Sequence, residues 1–213
     1  KCFNYAEDKY LKDLPDVYFQ VVMDYDDEGK LAHTGVYVGD DLQTYIDAAE
    51  ASLEQNITTF DEPVKKMVAV MQADEFRAMW VANKAVYRTR MAIADGGELL
   101  VIAPGVERFG EQQEVDDLIR KYGYLSQAEV LDLYETQEDM QEIPHGTAHL
   151  VHGSSEGRFN ITYAPGHLTK EEIEGVGYQY MDVDEALKRY DPEVMVDGWN
   201  TMPDGEEVFY IST

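Results

Sequence analysis

The chain has 213 residues, of which 43 are Asp or Glu and 17 are Lys or Arg, so its formal net charge is −26. That length, with 44% hydrophobic residues, suffices for one large domain or two small ones. The acidic composition without a basic run argues against binding to nucleic acids or anionic membranes, and no apolar run approaches the roughly 18 residues of a membrane-spanning helix. The single cysteine, Cys2, can form no internal disulfide, which fits a cytoplasmic protein.

The chain opens with two β-rich runs, residues 17–25 and 31–40. The turn-forming segment between them contains Gly29 and predicts an antiparallel hairpin. A helix is expected next over residues 41–54, capped by one of the two aspartates at its start.

A strand–helix–strand pattern follows. Residues 64–71 and 98–105 are apolar runs typical of buried strands, and a helix is expected between them, ended by Gly96-Gly97. This order predicts a right-handed parallel βαβ unit.

The remaining sequence continues the alternation. Helices are expected over 111–122, 126–138, 145–152, 169–174 and 184–190, and strands over 159–166, 176–181 and 206–212. We therefore predict an α/β fold with a mostly parallel sheet and helices on both faces, preceded by the hairpin and helix of a second domain.

Three cations of the helix expected between these two strands are spaced so that they lie on one face. Arg77, Lys84 and Arg88 are seven and four residues apart, which places them in a stripe about 40° wide. In so acidic a chain, such a stripe favours a small carboxylate or phosphate. The alternative is ordinary surface charge, for instance Arg77 paired with Asp74.

Three histidines, His145, His149 and His152, recur at i, i+4 and i+7 in HGTAHLVHG. On one helical face they could ligate zinc or nickel, or act as an acid and base near neutral pH. No glutamate lies between them as in the zinc-protease pattern HExxH. A packing role for one or more of them is the competing interpretation.

The segment HGSSEGRF, residues 152–159, allows two readings. Its small residues could form a backbone anion nest beside Arg158, or it could be a plain connector. It does not match a phosphate loop, and the ADGGEL segment does not match GxGxxG. Nucleotide binding therefore has no local support.

Several of these segments resemble one known family. The spans AEDKYLKDL, VGDD, ANKAVYRTRMAIADGGELLVIAPG, HGSSEGRFNITYAPGHLT and DGWNTMPDGEE are similar to the nickel-pincer lactate racemase superfamily, and most similar to its D-mannonate epimerase branch. The resemblance runs end to end, and the block around Lys84 is its specific part.

The resemblance implies an isomerase that inverts C2 of a 2-hydroxy acid, such as a sugar acid, by abstracting and returning hydride. It also implies a nickel pincer nucleotide, tethered to a lysine and ligated by histidine in an amino-terminal domain. Counting from ADGG, the substrate lysine of the family falls on Lys84, which we take as the catalytic and substrate-binding residue. Arg88, His149 and His152 are weaker candidates for substrate contacts.

The sequence also departs from the family pattern. A family glutamine falls on Val81, and a tryptophan expected on the helix before the Phe159 strand has no counterpart, with His149 or His152 in that neighbourhood. The motifs that tether the cofactor are absent, so we expect this chain to bind no cofactor by itself and to be catalytically incomplete.

By the same resemblance, residues 1–60 are the end of the cofactor domain, 61–190 an α/β substrate-capping domain, and 191–213 a returning loop and strand. The start on Lys1 and the apolar end EEVFYIST suggest part of a longer polypeptide. The expected partner is a small hydroxy acid, and the sequence assigns no oligomeric state. The alternative function is a non-catalytic carboxylate-binding or regulatory α/β module.

Overall fold

The computed structural model describes residues 2–11, 17–26, 28 and 30–212. The chain divides into two compact units, Lys1–Thr59 and Phe60–Thr213. The first unit contains two short helical segments, α1 and a π-helical turn, and then a hairpin of β1 and β2 followed by α2. Their bounds are Cys2–Ala6 for α1, Glu7–Leu11 for the π-helical turn, Tyr18–Tyr25 for β1, Leu31–Gly39 for β2 and Leu42–Asn56 for α2.

The predicted hairpin and the helix after it are confirmed. Strands β1 and β2 pair antiparallel, and the expected turn residue Gly29 lies outside the described residues. Helix α2 is capped by Asp41, whose side chain accepts a hydrogen bond from the backbone N–H of Thr44. Val22 and Ala48 are buried in this unit.

The second unit is built on a six-stranded sheet in the order β6-β5-β4-β3-β8-β7. All neighbours pair in parallel except β7 and β8, which are antiparallel. The strands are β3 Val64–Val70, β4 Ile93–Ala103, β5 Asn160–Pro165, β6 Gln179–Tyr180, β7 Gly198–Thr201 and β8 Glu207–Ser212. The mixed α/β class with a mostly parallel sheet is thus confirmed.

Helices cover both faces of this sheet. They are α3 Met79–Ala82, α4 Lys84–Thr89, α5 Gln113–Tyr122, α6 Gln127–Thr136, α7 Glu138–Glu142, α8 Pro144–His152, α9 Lys170–Gly175 and α10 Val183–Arg189. Successive strand residues point to opposite faces, so β4 contributes Leu99 and Val101 to the core beneath α3 to α9, and Leu100 and Ile102 to the core beneath α10.

The prediction that one helix carries the three cations is wrong. The chain forms two short helices, α3 and α4, which meet at Asn83. Arg77 precedes both, because its neighbour Ala78 is held in a β-bridge with Arg108. Arg77, Lys84 and Arg88 therefore do not form one helical stripe.

The two consecutive glycines expected to end that helix lie inside β4 instead. The pairing of β3 with β4 shifts register between Val64 and Lys66, opposite these glycines. Gly96 has a φ of 76°, and a Cβ on Gly97 would lie 2.8 Å from the backbone oxygen of Lys65. The glycines therefore permit a β-bulge.

The last part of the chain also differs in detail from the prediction. Trp199, which falls in the loop expected at the start of 191–213, lies on the edge strand β7 instead, and β8 pairs between β3 and β7 in the sheet. Within the described residues, no helix is long and apolar enough to cross a membrane.

Candidate functional site

An open pocket of about 450 Å³ lies between α3–α4 and α8 in the second unit. It is lined by Trp80, Val81, Lys84, Tyr87, His145, Ala148, His149 and His152. The structure thus brings together Lys84, His149 and His152, three of the four residues predicted from the sequence. The fourth, Arg88, is exposed and is not among the lining residues.

Lys84 is the cation of this pocket. It is the first residue of α4 and is partly buried. No carboxylate within the described ranges lies close enough to pair with its ammonium group. An unpaired ammonium in a concave site is free to bind an anionic ligand.

The backbone that carries Lys84 is anchored by its neighbour Asn83, which is 2% exposed. The Asn83 side-chain amide donates a 3.0 Å hydrogen bond to the Tyr178 hydroxyl, which in turn donates to the backbone oxygen of Gly153. Gly153 directly follows α8. One buried tyrosine therefore connects the lysine side of the pocket with the histidine side.

Trp80 is positioned by a loop that follows β4. The backbone N–H groups of Met79 and Trp80 donate to the oxygens of Arg108 and Phe109. That loop is held by the buried carboxylate of Asp116, which accepts from the N–H of Phe109 at 2.7 Å. The indole of Trp80 stacks on the ring of His149, with 4.6 Å between the ring centroids and 24° between the planes.

His149 is held on two sides. Besides the stack with Trp80, its Nε2 lies 2.9 Å from the hydroxyl of Tyr124. Burial, and to a lesser extent the nearby His152, lower the pKa of His149 to about 4. The imidazole is therefore neutral at pH 7, and it offers hydrogen bonds rather than positive charge to a ligand.

The three-histidine metal site suggested by the sequence is not formed. His145 Nε2 lies 3.3 Å from Gln112 Oε1, and His149 is engaged by Tyr124. The described residues contain no group of three or more His, Cys, Asp or Glu side chains arranged to hold a metal ion.

The reading of HGSSEGRF as an anion nest gains no support from the structure. Arg158 pairs with Asp95 at 2.7 Å and donates to two backbone oxygens, so its charge is already used. The segment lines a larger depression of about 630 Å³ that also contains the carboxylates of Glu129 and Glu156. Acidic groups there disfavour an anion, which is why we place the candidate site around Lys84.

Sequence reasoning missed the aromatic part of the site. Trp80, Tyr124 and Tyr178 come from three separate segments, and no local motif marks them. The only available signal was the tryptophan that the family resemblance places over the substrate. In this structure an indole does line the pocket, but it comes from α3, beside Val81, and not from α8.

No protein-family model matches this chain, and no curated protein matches its sequence. The structure is similar to a crystal structure of a protein from Thermotoga maritima, with 21% identity and a TM-score of 0.69 over 99% of this chain and 52% of that chain. It is also similar to the lactate racemase apoprotein from Thermoanaerobacterium thermosaccharolyticum, with 14% identity and a TM-score of 0.59 over 92% of this chain and 43% of that one. The chain spans about half the length, or less, of these structures, and at these identities the likeness shows a shared fold.

Proposed function

We propose that this chain is the substrate-binding part of a racemase or epimerase that acts on a 2-hydroxy acid. The observation that carries the proposal is the unpaired ammonium of Lys84 in a pocket with a neutral imidazole and an indole. The fold shared with the lactate racemase apoprotein supports this class of reaction, although a fold by itself does not fix a function.

Lys84 binds the carboxylate or the C2 oxygen of the substrate in this proposal. A hydrogen bond between an ammonium and a carboxylate contributes about 1.5–3 kcal/mol, and its charge also stabilises negative charge that develops on oxygen when C2 is inverted. The carboxylates that dominate this chain leave Lys84 free, because none of those described reaches it.

In this proposal the substrate is a sugar acid such as D-mannonate rather than lactate. His149 and His152 offer polar atoms for hydroxyl groups beyond C2, and the indole of Trp80 offers an apolar face for the carbon chain. Arg88, exposed and outside the lining, is left with at most a peripheral contact.

The rest of the reaction needs groups that the described residues do not supply. The structures with the same fold are about twice as long as this chain, and the family resemblance assigns a nickel pincer nucleotide to the amino-terminal part. We therefore propose that the nickel cofactor is held outside these 213 residues, and that this chain contributes substrate binding.

A second candidate is a carboxylate-binding or regulatory module without catalysis. It is favoured by one observation: the pocket combines a partly buried lysine, hydrogen-bonding imidazoles and an indole, which suit the binding of an organic acid whether or not a reaction follows. Both candidates bind a carboxylate ligand. They differ in whether the rest of the protein carries the nickel cofactor.

Binding and catalysis are tested separately. Titration of D-mannonate and lactate into the 213-residue chain should show sugar-acid binding that Lys84→Met weakens roughly 10- to 100-fold. The matched control is Lys188→Met, which removes an exposed cation on α10. Equal affinities in both variants would exclude Lys84 as the anchor.

Catalysis is measured on the protein from its complete reading frame, by its nickel content and by interconversion of the C2 epimers. Bound nickel with Lys84-dependent turnover supports the isomerase. A nickel-free, inactive protein that still binds D-mannonate would support the binding module instead.

A further inference from the structure

The two nitrogens of His149 have different surroundings. Nε2 lies 2.9 Å from the Tyr124 hydroxyl, whereas Nδ1 has no hydrogen-bond partner in the part of the chain that the structure describes. We propose that Tyr124 is a positioning residue: it donates to Nε2 and fixes the proton on Nδ1, so that His149 presents an N–H donor to a hydroxyl oxygen of a polyhydroxylated acid. This inference rests on the proposed function and explains how the pocket would prefer a polyhydroxylated acid.

The direction of the hydrogen bond follows from the groups behind it. The Tyr178 hydroxyl gives its only proton to the Gly153 carbonyl oxygen, which can only accept. The Asn83 side chain must therefore turn its NH₂ group, and not its oxygen, toward the tyrosines. The Tyr178 hydroxyl is thus already engaged as donor and as acceptor. Among the described residues, the one hydrogen-bond partner of the Tyr124 hydroxyl is His149 Nε2. A proton on Nε2 would leave the buried Tyr124 O–H without an acceptor, so the hydroxyl donates to Nε2.

Tyr124 is suited to hold one orientation. Its ring stacks on Tyr178 with 4.5 Å between centroids and 2° between planes, and Tyr178 stacks in turn on Tyr163 at 5.8 Å. Burial raises the pKa of Tyr124 well above its ordinary value, and the neighbouring tyrosines add to this effect. The hydroxyl therefore remains a neutral donor at pH 7.

His149 keeps one ring proton near neutral pH, and the tautomer decides which of its two nitrogens carries that proton. The titratable groups around the ring are His145 and His152 on the same helix, Lys84 and Tyr87 on α4, and Tyr124 at Nε2. None of them brings a negative charge that would stabilise an imidazolium. A neutral ring with a fixed N–H suits an uncharged oxygen acceptor.

This arrangement discriminates between acids. A sugar acid has hydroxyl oxygens beyond C2 that can accept from Nδ1–H, whereas lactate has none. Only the larger acid gains this hydrogen bond, so the Nδ1–H donor favours a sugar acid over lactate. Tyr124 thereby acts on specificity without touching the substrate.

The tautomer is measured directly by long-range ¹H–¹⁵N spectra of the imidazole rings in the ¹⁵N-labelled 213-residue chain at pH 7, with His149→Gln used for assignment. The expected wild-type pattern is a neutral ring protonated on Nδ1. In Tyr124→Phe, which keeps the aromatic stack, the ring should shift toward the Nε2–H form that free histidine prefers. Tyr134→Phe, at an exposed tyrosine on α6, is the matched control.

An Nε2–H tautomer in the wild type, or an unchanged tautomer in Tyr124→Phe, would overturn the inference, and the first of these results requires no variant to fold. In titrations, Tyr124→Phe should weaken D-mannonate roughly 2- to 10-fold and leave lactate unchanged. D-mannonate binding that does not move the His149 signals would also overturn it. If neither acid binds, the proposed function fails, and the ligand-free tautomer still decides the role of Tyr124.

Discussion

Replacing Asp116 should show how much more its buried hydrogen bonds contribute to stability than its partly exposed ion pair. Its side chain is buried, at 5% exposure, and one carboxylate oxygen accepts from the backbone N–H of Phe109 and of Gly110, at 2.7 and 3.1 Å. The other oxygen pairs with Arg120 at 2.5 Å. Asp116→Ala leaves two buried N–H groups without an acceptor.

The cost can be worked from these contacts. A buried donor without a partner costs about 1–3 kcal/mol, so the two N–H groups together cost about 2–6 kcal/mol. Arg120 adds little, because its side chain is 39% exposed and keeps its pair with Glu172. A loss of about 4 kcal/mol lowers the melting temperature of the second unit by roughly 8–16 °C.

The assay is thermal unfolding, with the emission of Trp80 recorded in a Trp199→Phe background. Asp116 holds the loop whose carbonyls bind the first N–H groups of α3, so the substitution should also alter Trp80 emission before unfolding. Asp117→Ala, at the exposed neighbouring position, is the control and should melt within about 2 °C of the wild type. Similar melting temperatures for both variants would refute the burial argument.

Two further predictions concern the pocket. The folded pKa of His149, about 4, lies below the unfolded value of 6.5, so the unfolded state binds more protons between these values and stability should fall as pH decreases from 6.5 to 4. In urea titrations, His149→Gln should remove a slope of up to about 1.4 kcal/mol per pH unit from the free energy of unfolding. An unchanged slope would contradict the lowered pKa. Tyr178→Phe leaves the Gly153 oxygen and the Asn83 amide unpaired and should destabilise the protein by about 2–6 kcal/mol in the same assay. Tyr180→Phe, on the edge strand β6, should have little effect, and equal losses in the two variants would argue against the buried network.

The regular elements could be predicted because hydrophobic period and capping residues are local. The apolar run at 64–71 became β3, and Thr169 and Ser126 begin helices with capping boxes. The helix expected to contain Arg77 failed because a contact distant in sequence, the bridge between Ala78 and Arg108, overrides local helix propensity.

The lysine and the histidines of the candidate site could be predicted from the sequence, but its aromatic side chains could not. Lys84 was found from a family motif, and His149 and His152 from helical spacing, and all three line one pocket. The roles assigned to them stay predictions. The contacts of Tyr124 and Tyr178 join segments 25 residues or more apart, and no pattern in one sequence encodes such pairing.

The anchor at Asn83 fixes only one end of the neighbouring lysine. The backbone before Lys84 is held by a buried, hydrogen-bonded amide, whereas its side chain has four methylene groups and ends in an ammonium with no ion-pair partner among the described residues. Under the proposed function, the two epimers of a hydroxy acid carry their C2 oxygens on opposite sides of the carbon. One cation on a long, flexible side chain can then bind either of them.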